Sequence, residues 1–248
     1  MRSNPVIDTQ MNHVSVRFFK NETIPADILN TVVAAGRRAP TSSNLQTYSI
    51  VLVKDQNKKN ELSILAGKQQ HIIDCPVFIV FCADLHRSQK VCELHGQEMT
   101  NNLETFIIST IDASLVGMSV QTAAESFGLG AVMVGGIRND LKGVAEILEL
   151  PQGVYPVYGM SMGWPNSEKV PPQKPRLPRD LVIHEDTYSL KDLSNTIEQH
   201  DKEMAAHYHA LGTNLSDAAW SGPVARNMSR PRRPDTHVIL KELGFNIS

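Results

Sequence analysis

Residues 103–127 read LETFIISTIDASLVGMSVQTAAESF, and they restrict the architecture more than any other part of the chain. Apolar side chains go nearly all the way round the helix that this spacing predicts, interrupted by small polar residues and by Asp112. A helix that is apolar on every side must be buried on every side. We therefore expect Leu103–Phe127 to be both a central helix and a subunit interface.

The segments on either side of this helix predict further helices and strands. Pro25–Gly36, Asp140–Leu150 and Leu190–Leu211 have helical patterns, whereas Ser49–Val53, Cys75–Cys82, Ala131–Val134 and Val154–Met162 have strand patterns. The Cys75–Cys82 run is apolar on both faces, as in a strand covered on two sides. Residues 166–178 contain four prolines and are predicted to be an extended connection. The imperfect alternation indicates an α+β (mixed α/β) layer structure rather than a barrel.

Composition indicates a globular protein and excludes several other classes. The 248 residues are 41% hydrophobic and 20% charged, enough apolar material for a sizeable core. A net charge of −2 argues against nucleic acid or an anionic membrane as the main partner. The longest uninterrupted apolar run, Val77–Ala83, is far shorter than the ~20 residues of a membrane span. No early run resembles a signal peptide, and the three cysteines form no CxxC pair. We expect a cytoplasmic protein of one domain, 1–248, with an extended C-terminal arm from about 212.

The segment Asn12–Phe18 carries the best local pattern of polar side chains. If it is extended, His13, Ser15 and Arg17 share one face, while Val14, Val16 and Phe18 form an apolar back. A row of hydrogen-bond donors that includes arginine suits a phosphate group. The alternative interpretation is an ordinary amphipathic edge strand.

Three more segments are candidates for binding, although each on its own is typical of a loop. Gly135-Gly136 follows a predicted strand and would let a flat ligand lie against the backbone. Lys174-Pro175-Arg176 places two cations in a proline-stiffened segment, where both could face one anion. Residues 39–46, APTSSNLQ, supply small hydroxyl and amide side chains after a helix.

Taken together in order, these motifs resemble the nitroreductase family. Residues 38–46 are similar to its flavin-binding loop, and residues 13–17 resemble the His-Arg-Ser-x-Arg opening of one subgroup. That subgroup contains NAD(P)H:flavin oxidoreductases and oxygen-insensitive nitroreductases. Residues 128–139, 163–165 and 174–178 match it in order and approximate spacing. The resemblance runs from about His13 to Phe245.

The resemblance implies a homodimer with a central mixed sheet flanked by helices and with FMN bound at the dimer interface. Hydride would pass from NADH or NADPH to FMN, and then to a second acceptor such as free flavin, a nitroaromatic or a quinone, by a ping-pong mechanism. No protein acid, base or nucleophile would be required. The implied FMN-binding residues are His13, Val14 (through its backbone), Ser15, Arg17, Gln69, Met133, Val134, Gly135, Gly136, Lys174 and Arg176, with Thr41, Ser42, Ser43, Asn44 and Gln46 contributed by the partner subunit.

Two positions depart from the subgroup. Val14 stands where the family has arginine, which removes one phosphate donor. Residues 211–217 lack the arginines that NADPH-preferring members carry there, and Asp217 is acidic. Because a 2′-phosphate requires cations, we expect relaxed or NADH-leaning selectivity. Arg233, and less closely Arg230, match the subgroup's C-terminal arginine and are candidates for nucleotide binding.

Alternative functions have weaker support. Gly159–Gly163 matches the GxSxG nucleophile elbow around Ser161, but Trp164-Pro165 follows where that motif needs a helix. The dinucleotide-binding fingerprint lacks its third glycine, and His200, His207 and His209 are expected to be solvated helix residues rather than metal ligands. Residues 230–234, RPRRP, could bind RNA in a non-enzymatic module, although they have no aromatic stacking partners.

Overall fold

The computed structural model describes residues 2–189 and 192–247, and its core is a four-stranded sheet. The strands lie in the order β1-β2-β4-β3, and every adjacent pair is antiparallel. Their bounds are β1 Tyr48–Val53, β2 Val77–Asp84, β3 Gly130–Val134 and β4 Val154–Gly163. A parallel bridge between Ser15 and Ala131 adds the N-terminal segment to the edge of the sheet at β3.

Eleven α-helices surround this sheet or follow it within the described residues. They are α1 Pro5–Met11, α2 Ala26–Gly36, α3 Gln56–Leu65, α4 Gln70–Asp74, α5 His86–Leu94, α6 Leu103–Ser126, α7 Leu141–Ile147, α8 Arg179–Val182, α9 Leu193–Ala210, α10 Ser221–Met228 and α11 Thr236–Glu242. Three short 3-10 turns cover Ser42–Asn44, Gly135–Asn139 and Ser167–Lys169.

The structure confirms the predicted helices and strands within a few residues of their ends and adds helices that have weak patterns. The predicted Leu190–Leu211 helix begins at Leu193, and Leu190 and Lys191 lie outside the described residues. Seven of the described helices were not predicted from the sequence: α1, α3, α4, α5, α8, α10 and α11. Neither α1 nor α5 has a buried residue, and α3 is mostly polar, so the apolar stripe that marks a helix is absent or short.

Strand β2 separates two hydrophobic clusters because alternate side chains of a strand point to opposite faces. All eight of its residues are buried. Ile79 and Phe81 belong to the cluster that includes α2 and α6, whereas Phe78 and Val80 belong to the one that includes α3, α4 and α7. The sheet is therefore covered on both faces, as its sequence predicts.

Helix α6 is the central helix that the sequence predicts. A capping box of Asn102 and Thr105 begins it, and Val116 and Val120 are completely buried in the core. Its length and composition would also suit a membrane span, but packing against α2 and the sheet explains its apolar character.

One face of α6 nevertheless remains open in the single chain. Its exposed apolar residues recur at helical spacing and are Leu103, Ile107, Ile111, Leu115 and Met118. We call these five residues the α6 stripe. One copy of the chain therefore does not give α6 the burial on every side that its sequence predicts.

The N-terminal donor segment lies against the edge of the sheet. The Val16 N–H donates to the Ala131 carbonyl at 3.0 Å, and Val16 is buried. A Cβ on Gly130 would come within 2.7 Å of the Val16 side chain, so glycine permits this approach. The expected apolar back ends there, because Phe18 is 52% exposed and lies under the Lys169 ammonium group. Phe19 packs against the core instead.

The chain divides into two compact units. The first extends through Pro171 and resumes at Arg233, so it contains the sheet, α1–α7 and α11. The second covers Pro172–Arg232 and contains α8–α10. Compactness does not determine whether the units unfold together, so the single-domain assignment stays a prediction.

Replacing Gly117 by alanine tests the packing of α6 on the sheet. A Cβ there would collide with the Tyr158 hydroxyl and come within 2.7 Å of Tyr158 Cζ. Because the Tyr158 ring is buried and packs against Phe81, we expect Gly117→Ala to lose about 1–3 kcal/mol in urea unfolding despite alanine's higher helix propensity. Ser126→Ala, at the exposed end of the same helix, is the control. Equal or greater stability of Gly117→Ala would contradict this packing.

Candidate functional site

The segment 13–17 places its polar side chains beside the β3 edge. The His13 Nδ1 lies 2.6 Å from the Glu125 carboxylate on α6, which also accepts a hydrogen bond from Gln121. His13 is half-buried, as are Val14 and Ser15, whereas Arg17 is exposed and donates to the Ser15 carbonyl at 3.4 Å. The structure thus brings an imidazole, a hydroxyl and a guanidinium group to one edge of the sheet.

Strand β3 leads directly from this segment to the glycine pair. Met133 is 43% exposed although Val132 and Val134 are buried, so its side chain lies on an open surface. Gly135 and Gly136 follow in a 3-10 turn. A Cβ on Gly136 would collide with the Gln69 amide nitrogen and come within 2.5 Å of the Ala66 carbonyl oxygen. Glycine at 136 therefore lets Gln69 pack directly against the turn.

Gln69 is held in place by buried hydrogen bonds. Its Nε2 donates to the Ala66 carbonyl at 2.8 Å, and its Oε1 lies 2.9 Å from the His71 Nε2. The His71 Nδ1 lies 3.0 Å from the Ser161 Oγ. Burial lowers the pKa of the His71 imidazole, and the positive charge of Arg17 lowers that pKa further, against a smaller opposing effect of Asp74. The electrostatic effect of Arg17 on His71 links the donor segment to Gln69.

Ser161 lies within a strand and not on a nucleophile elbow. It is completely buried in β4, where Val132 of β3 and Phe78 of β2 pair with it on either side. An elbow serine must be exposed at a sharp turn between a strand and a helix. The structure therefore agrees with the rejection of a serine hydrolase, although Ser161 does contact a histidine.

The loop Thr41–Gln46 is anchored from inside the fold by Asp112. This carboxylate is completely buried and accepts from the Ser42 N–H at 3.0 Å, the Thr47 N–H at 3.0 Å and the Thr47 hydroxyl at 2.8 Å. Between the two anchor points, Ser43, Asn44 and Gln46 have positive φ angles of 47°, 59° and 54°. Residues other than glycine rarely adopt this backbone conformation, so the loop is strained. The hydrogen bonds to Asp112 stabilise it.

Arg87 fixes the end of the same loop. The Arg87 guanidinium donates to the carbonyl oxygens of Gln46 and Tyr48 and to the Asp84 carboxylate. The sequence analysis missed both Asp112 and Arg87 as loop anchors. For Asp112 a signal existed, since an acidic residue in the middle of an apolar helix needs buried donors.

Lys174 and Arg176 lie in the second unit. The Lys174 ammonium is 5.5 Å from the centre of the Tyr208 ring, and both cations line a cavity with Trp220. That Lys174 and Arg176 bind the same phosphate group as His13, Ser15 and Arg17 stays a prediction.

The two C-terminal arginines have different surroundings. Arg233 belongs to the first unit, where it donates to the Asn139 Oδ1 at 2.7 Å and to the Gly135 carbonyl at 3.1 Å. These hydrogen bonds therefore stabilise the glycine turn. Arg230 belongs to the second unit and is exposed.

The expectation of solvated histidines on α9 is wrong for His200. Its side chain is 1% exposed and packs edge-on against Trp220 with ring centres 5.4 Å apart. His207 is half-buried and His209 is exposed. Within the described ranges, no three or more acidic, histidine or cysteine residues form a metal-binding group.

The protein has an α+β fold. Its candidate site combines hydrogen-bond donors that suit an anion with an exposed surface at Met133, next to the glycine pair. The family model "Nitroreductase family" matches residues 11–164, and "Nitroreductase family, C-terminal domain" matches residues 174–248. This chain belongs to the nitroreductase family.

Individual relatives are similar over almost their whole length. An FMN reductase (NADPH) of Bacillus subtilis (strain 168) is 39% identical, with 98% of this chain and 99% of the relative covered. An oxygen-insensitive NADPH nitroreductase of Salmonella typhimurium is 35% identical, with 98% of each covered. The solved NADPH:FMN oxidoreductase of Vibrio harveyi, complexed with NAD+, has a TM-score of 0.89 at 33% identity and covers 98% of this chain and 99% of its own.

Replacing Asp112 by asparagine tests the anchoring of the 41–47 loop. The asparagine amide nitrogen would face N–H and O–H groups that donate to the carboxylate in the wild type. We therefore expect the free energy of unfolding, measured in urea, to fall by about 2–3 kcal/mol. Proteolysis within residues 41–47 should also become faster. Asp27→Asn, an exposed acid on α2, is the matched control. If Asp112→Asn were as stable and as resistant as Asp27→Asn, the anchor would have no role.

Proposed function

We propose that the β3 edge of the first unit binds FMN, with the phosphate at His13, Ser15 and Arg17 and the ring system against Met133, Gly135 and Gly136. The observation that carries this assignment is the pairing of Val16 with Ala131, which sets the donor segment beside the strand that leads into the glycine pair. The residues fit such a ligand. Cationic and hydroxyl donors suit a phosphate, and the exposed Met133 beside the partly exposed backbone of Gly135 and Gly136 offers a surface to a flat ring.

The chain is an NAD(P)H-dependent oxidoreductase that uses FMN. FMN held by these residues would supply the hydride chemistry between NADH or NADPH and a second acceptor such as free flavin, a nitroaromatic or a quinone. The protein's part is to hold the cofactor at the β3 edge and to leave one side of the surface at Met133 open, so that the two substrates can occupy the same space in turn. This arrangement agrees with ping-pong kinetics.

Other residues complete the proposed site. Val14 has no donor side chain and would offer its backbone N–H to the phosphate. Lys174 and Arg176 would bring two more cations to the phosphate from the second unit. Val134, whose side chain is buried, would contribute its backbone beside the ring. Gln69 would contact the ring or the ribityl chain.

A homodimer would supply the remaining contacts. The α6 stripe is an apolar surface of regular spacing on a helix that is otherwise buried, which favours a second copy of the same chain as its cover. The anchored loop would then carry Thr41, Ser42, Ser43, Asn44 and Gln46 to the partner's FMN. We place the protein in the cytoplasm, where its three free cysteines would remain reduced.

Replacing Arg17 by alanine tests the phosphate assignment. Loss of a charge-assisted hydrogen bond should weaken FMN binding by roughly ten-fold or more, whereas riboflavin, which lacks the phosphate, should change by no more than about two-fold. The measurement is a fluorescence titration of apoprotein with each flavin, and Arg2→Ala is the control for loss of an exposed arginine. Equal weakening of both flavins would place the phosphate elsewhere.

An aspartate on the α6 stripe tests the dimer. We expect Ile111→Asp to be monomeric by light scattering at micromolar concentration and to lose FMN, because a buried unpaired charge opposes association. Leu94→Asp introduces the same charge at an exposed residue of α5 and should stay dimeric with FMN bound. A dimeric Ile111→Asp, or a monomeric wild-type protein that binds FMN, would contradict this interface.

The choice between NADH and NADPH can be measured directly. Residues 211–217 offer no cation for a 2′-phosphate, and the Arg233 guanidinium contacts Asn139 and Gly135. We therefore expect kcat/KM values for NADH and NADPH within about ten-fold of each other, less than about 1.4 kcal/mol in transition-state stabilisation. A preference for NADPH well beyond ten-fold would contradict this expectation.

A further inference from the structure

A buried series of hydrogen bonds connects the middle of the sheet to the glycine turn. It runs from Ser161 in β4 through His71 in α4 to Gln69, whose amide packs against Gly136. Ser161 is completely buried, and His71 is 9% exposed. The chemistry described above uses neither Ser161 nor His71, so their burial and contacts need another explanation.

The Ala66 carbonyl at one end determines the direction of every hydrogen bond in the series. The Ala66 carbonyl can accept only, so the Gln69 amide must face it with Nε2 and face His71 with Oε1. A carbonyl oxygen also accepts only, so the His71 Nε2 carries the hydrogen. In a neutral imidazole the Nδ1 is then an acceptor, and it receives the Ser161 hydroxyl hydrogen.

The surroundings of His71 favour the neutral ring that this series requires. Burial and the positive charge of Arg17 both lower the pKa of His71, and Asp74, on its own helix, opposes them with a smaller effect. A protonated ring would need an acceptor at Nδ1, and the Ser161 hydroxyl would have to turn round to provide one.

We propose that His71 is a positioning residue that acts together with the Ala66 carbonyl to fix the orientation of the Gln69 amide, so that this amide presents an N–H and not its oxygen to the ligand on the glycine turn. Gln69 Nε2 has two hydrogens, and one is bonded to Ala66. The other belongs to the nitrogen that packs against Gly136. By donating to the His71 Nδ1, the Ser161 hydroxyl stabilises the tautomer that maintains this arrangement. The proposal rests on the FMN site proposed above.

An N–H donor beside the ring would distinguish the two oxidation states of FMN. A donor stabilises the form that carries more negative charge, which is the reduced form. Loosening of the site for purely structural reasons would weaken both forms alike. The diagnostic quantity is therefore the ratio of the affinities for reduced and oxidised FMN, obtained from the midpoint potential of bound FMN together with titration of apoprotein by oxidised FMN.

Four single variants and the two double mutants Gln69→Leu/His71→Phe and Gln69→Leu/Ser161→Ala test the proposal. Gln69→Leu removes the donor, His71→Phe removes the contact that orients it, and His71→Gln keeps an N–H that can donate to the Gln69 Oε1. Ser161→Ala deletes one hydroxyl group and tests the tautomer selection. The double mutant Gln69→Leu/His71→Phe tests whether His71 acts through Gln69. Circular dichroism and thermal unfolding identify variants that fold.

We expect Gln69→Leu and His71→Phe each to lower the reduced-to-oxidised affinity ratio by roughly five-fold or more. The double mutant Gln69→Leu/His71→Phe should be within about two-fold of Gln69→Leu, and His71→Gln should restore the ratio to within about two-fold of wild type. Ser161→Ala should shift the ratio in the same direction, and this shift should disappear in a Gln69→Leu background.

Other results would overturn the proposal. If the effects of Gln69→Leu and His71→Phe multiply, or if His71→Gln does not restore the ratio, His71 does not act through Gln69. If His71→Phe fails to fold, Ser161→Ala decides, and an unchanged ratio there overturns the proposal. If Gln69→Leu itself changes neither FMN affinity nor the ratio, Gln69 does not contact FMN and the proposed site is wrong at that residue.

Discussion

The hydrogen bond from Val16 to Ala131 is the interaction on which the site depends. Helices cover both faces of the sheet, which leaves its edges for further strand pairing. The Val16 N–H occupies that edge at β3 and thereby sets His13, Ser15 and Arg17 beside the strand that ends at the glycine pair. One short stretch of strand pairing thus places hydrogen-bond donors that suit a phosphate beside the backbone of the glycine pair.

Buried polar groups hold the parts of the site that strand pairing does not reach. Asp112 anchors a loop with three left-handed residues, and Arg87 holds the end of that loop. The Ser161–His71–Gln69 series reaches the glycine turn at Gly136. Asp112, His71 and Ser161 are expensive to bury without a partner, and each one has its partners in place, whereas Arg87 is exposed. Positioning of the site therefore comes from the core.

The sequence predicts the parts of the fold that depend on local periodicity. Strand β2 and helix α6 have apolar patterns that few other structures could satisfy, whereas α5 buries nothing and leaves no pattern to read. Phe18 follows the alternation of its neighbours but is exposed, because the chain leaves the sheet edge after Val16 and Phe19 takes the place in the core.

The candidate site divides in the same way. The individual motifs can be found by their resemblance to a family, since each is continuous in sequence. The contacts of His71 with Ser161 and of Asp112 with Thr47 join residues 90 and 65 positions apart, and no local pattern indicates them. His200 is an example of the reverse error, since the polar helix around it predicts exposure but Trp220 from a later segment buries it.

The most direct test of the account is the FMN affinity of Gly130→Ala. A Cβ at 130 would press on Val16 at 2.7 Å and displace the donor segment from β3. We expect a folded protein whose dissociation constant for FMN rises by roughly ten-fold or more, with partial recovery when Val16→Gly also removes the Val16 Cβ and makes room for the new methyl group. A folded Gly130→Ala that binds FMN as tightly as wild type would contradict it.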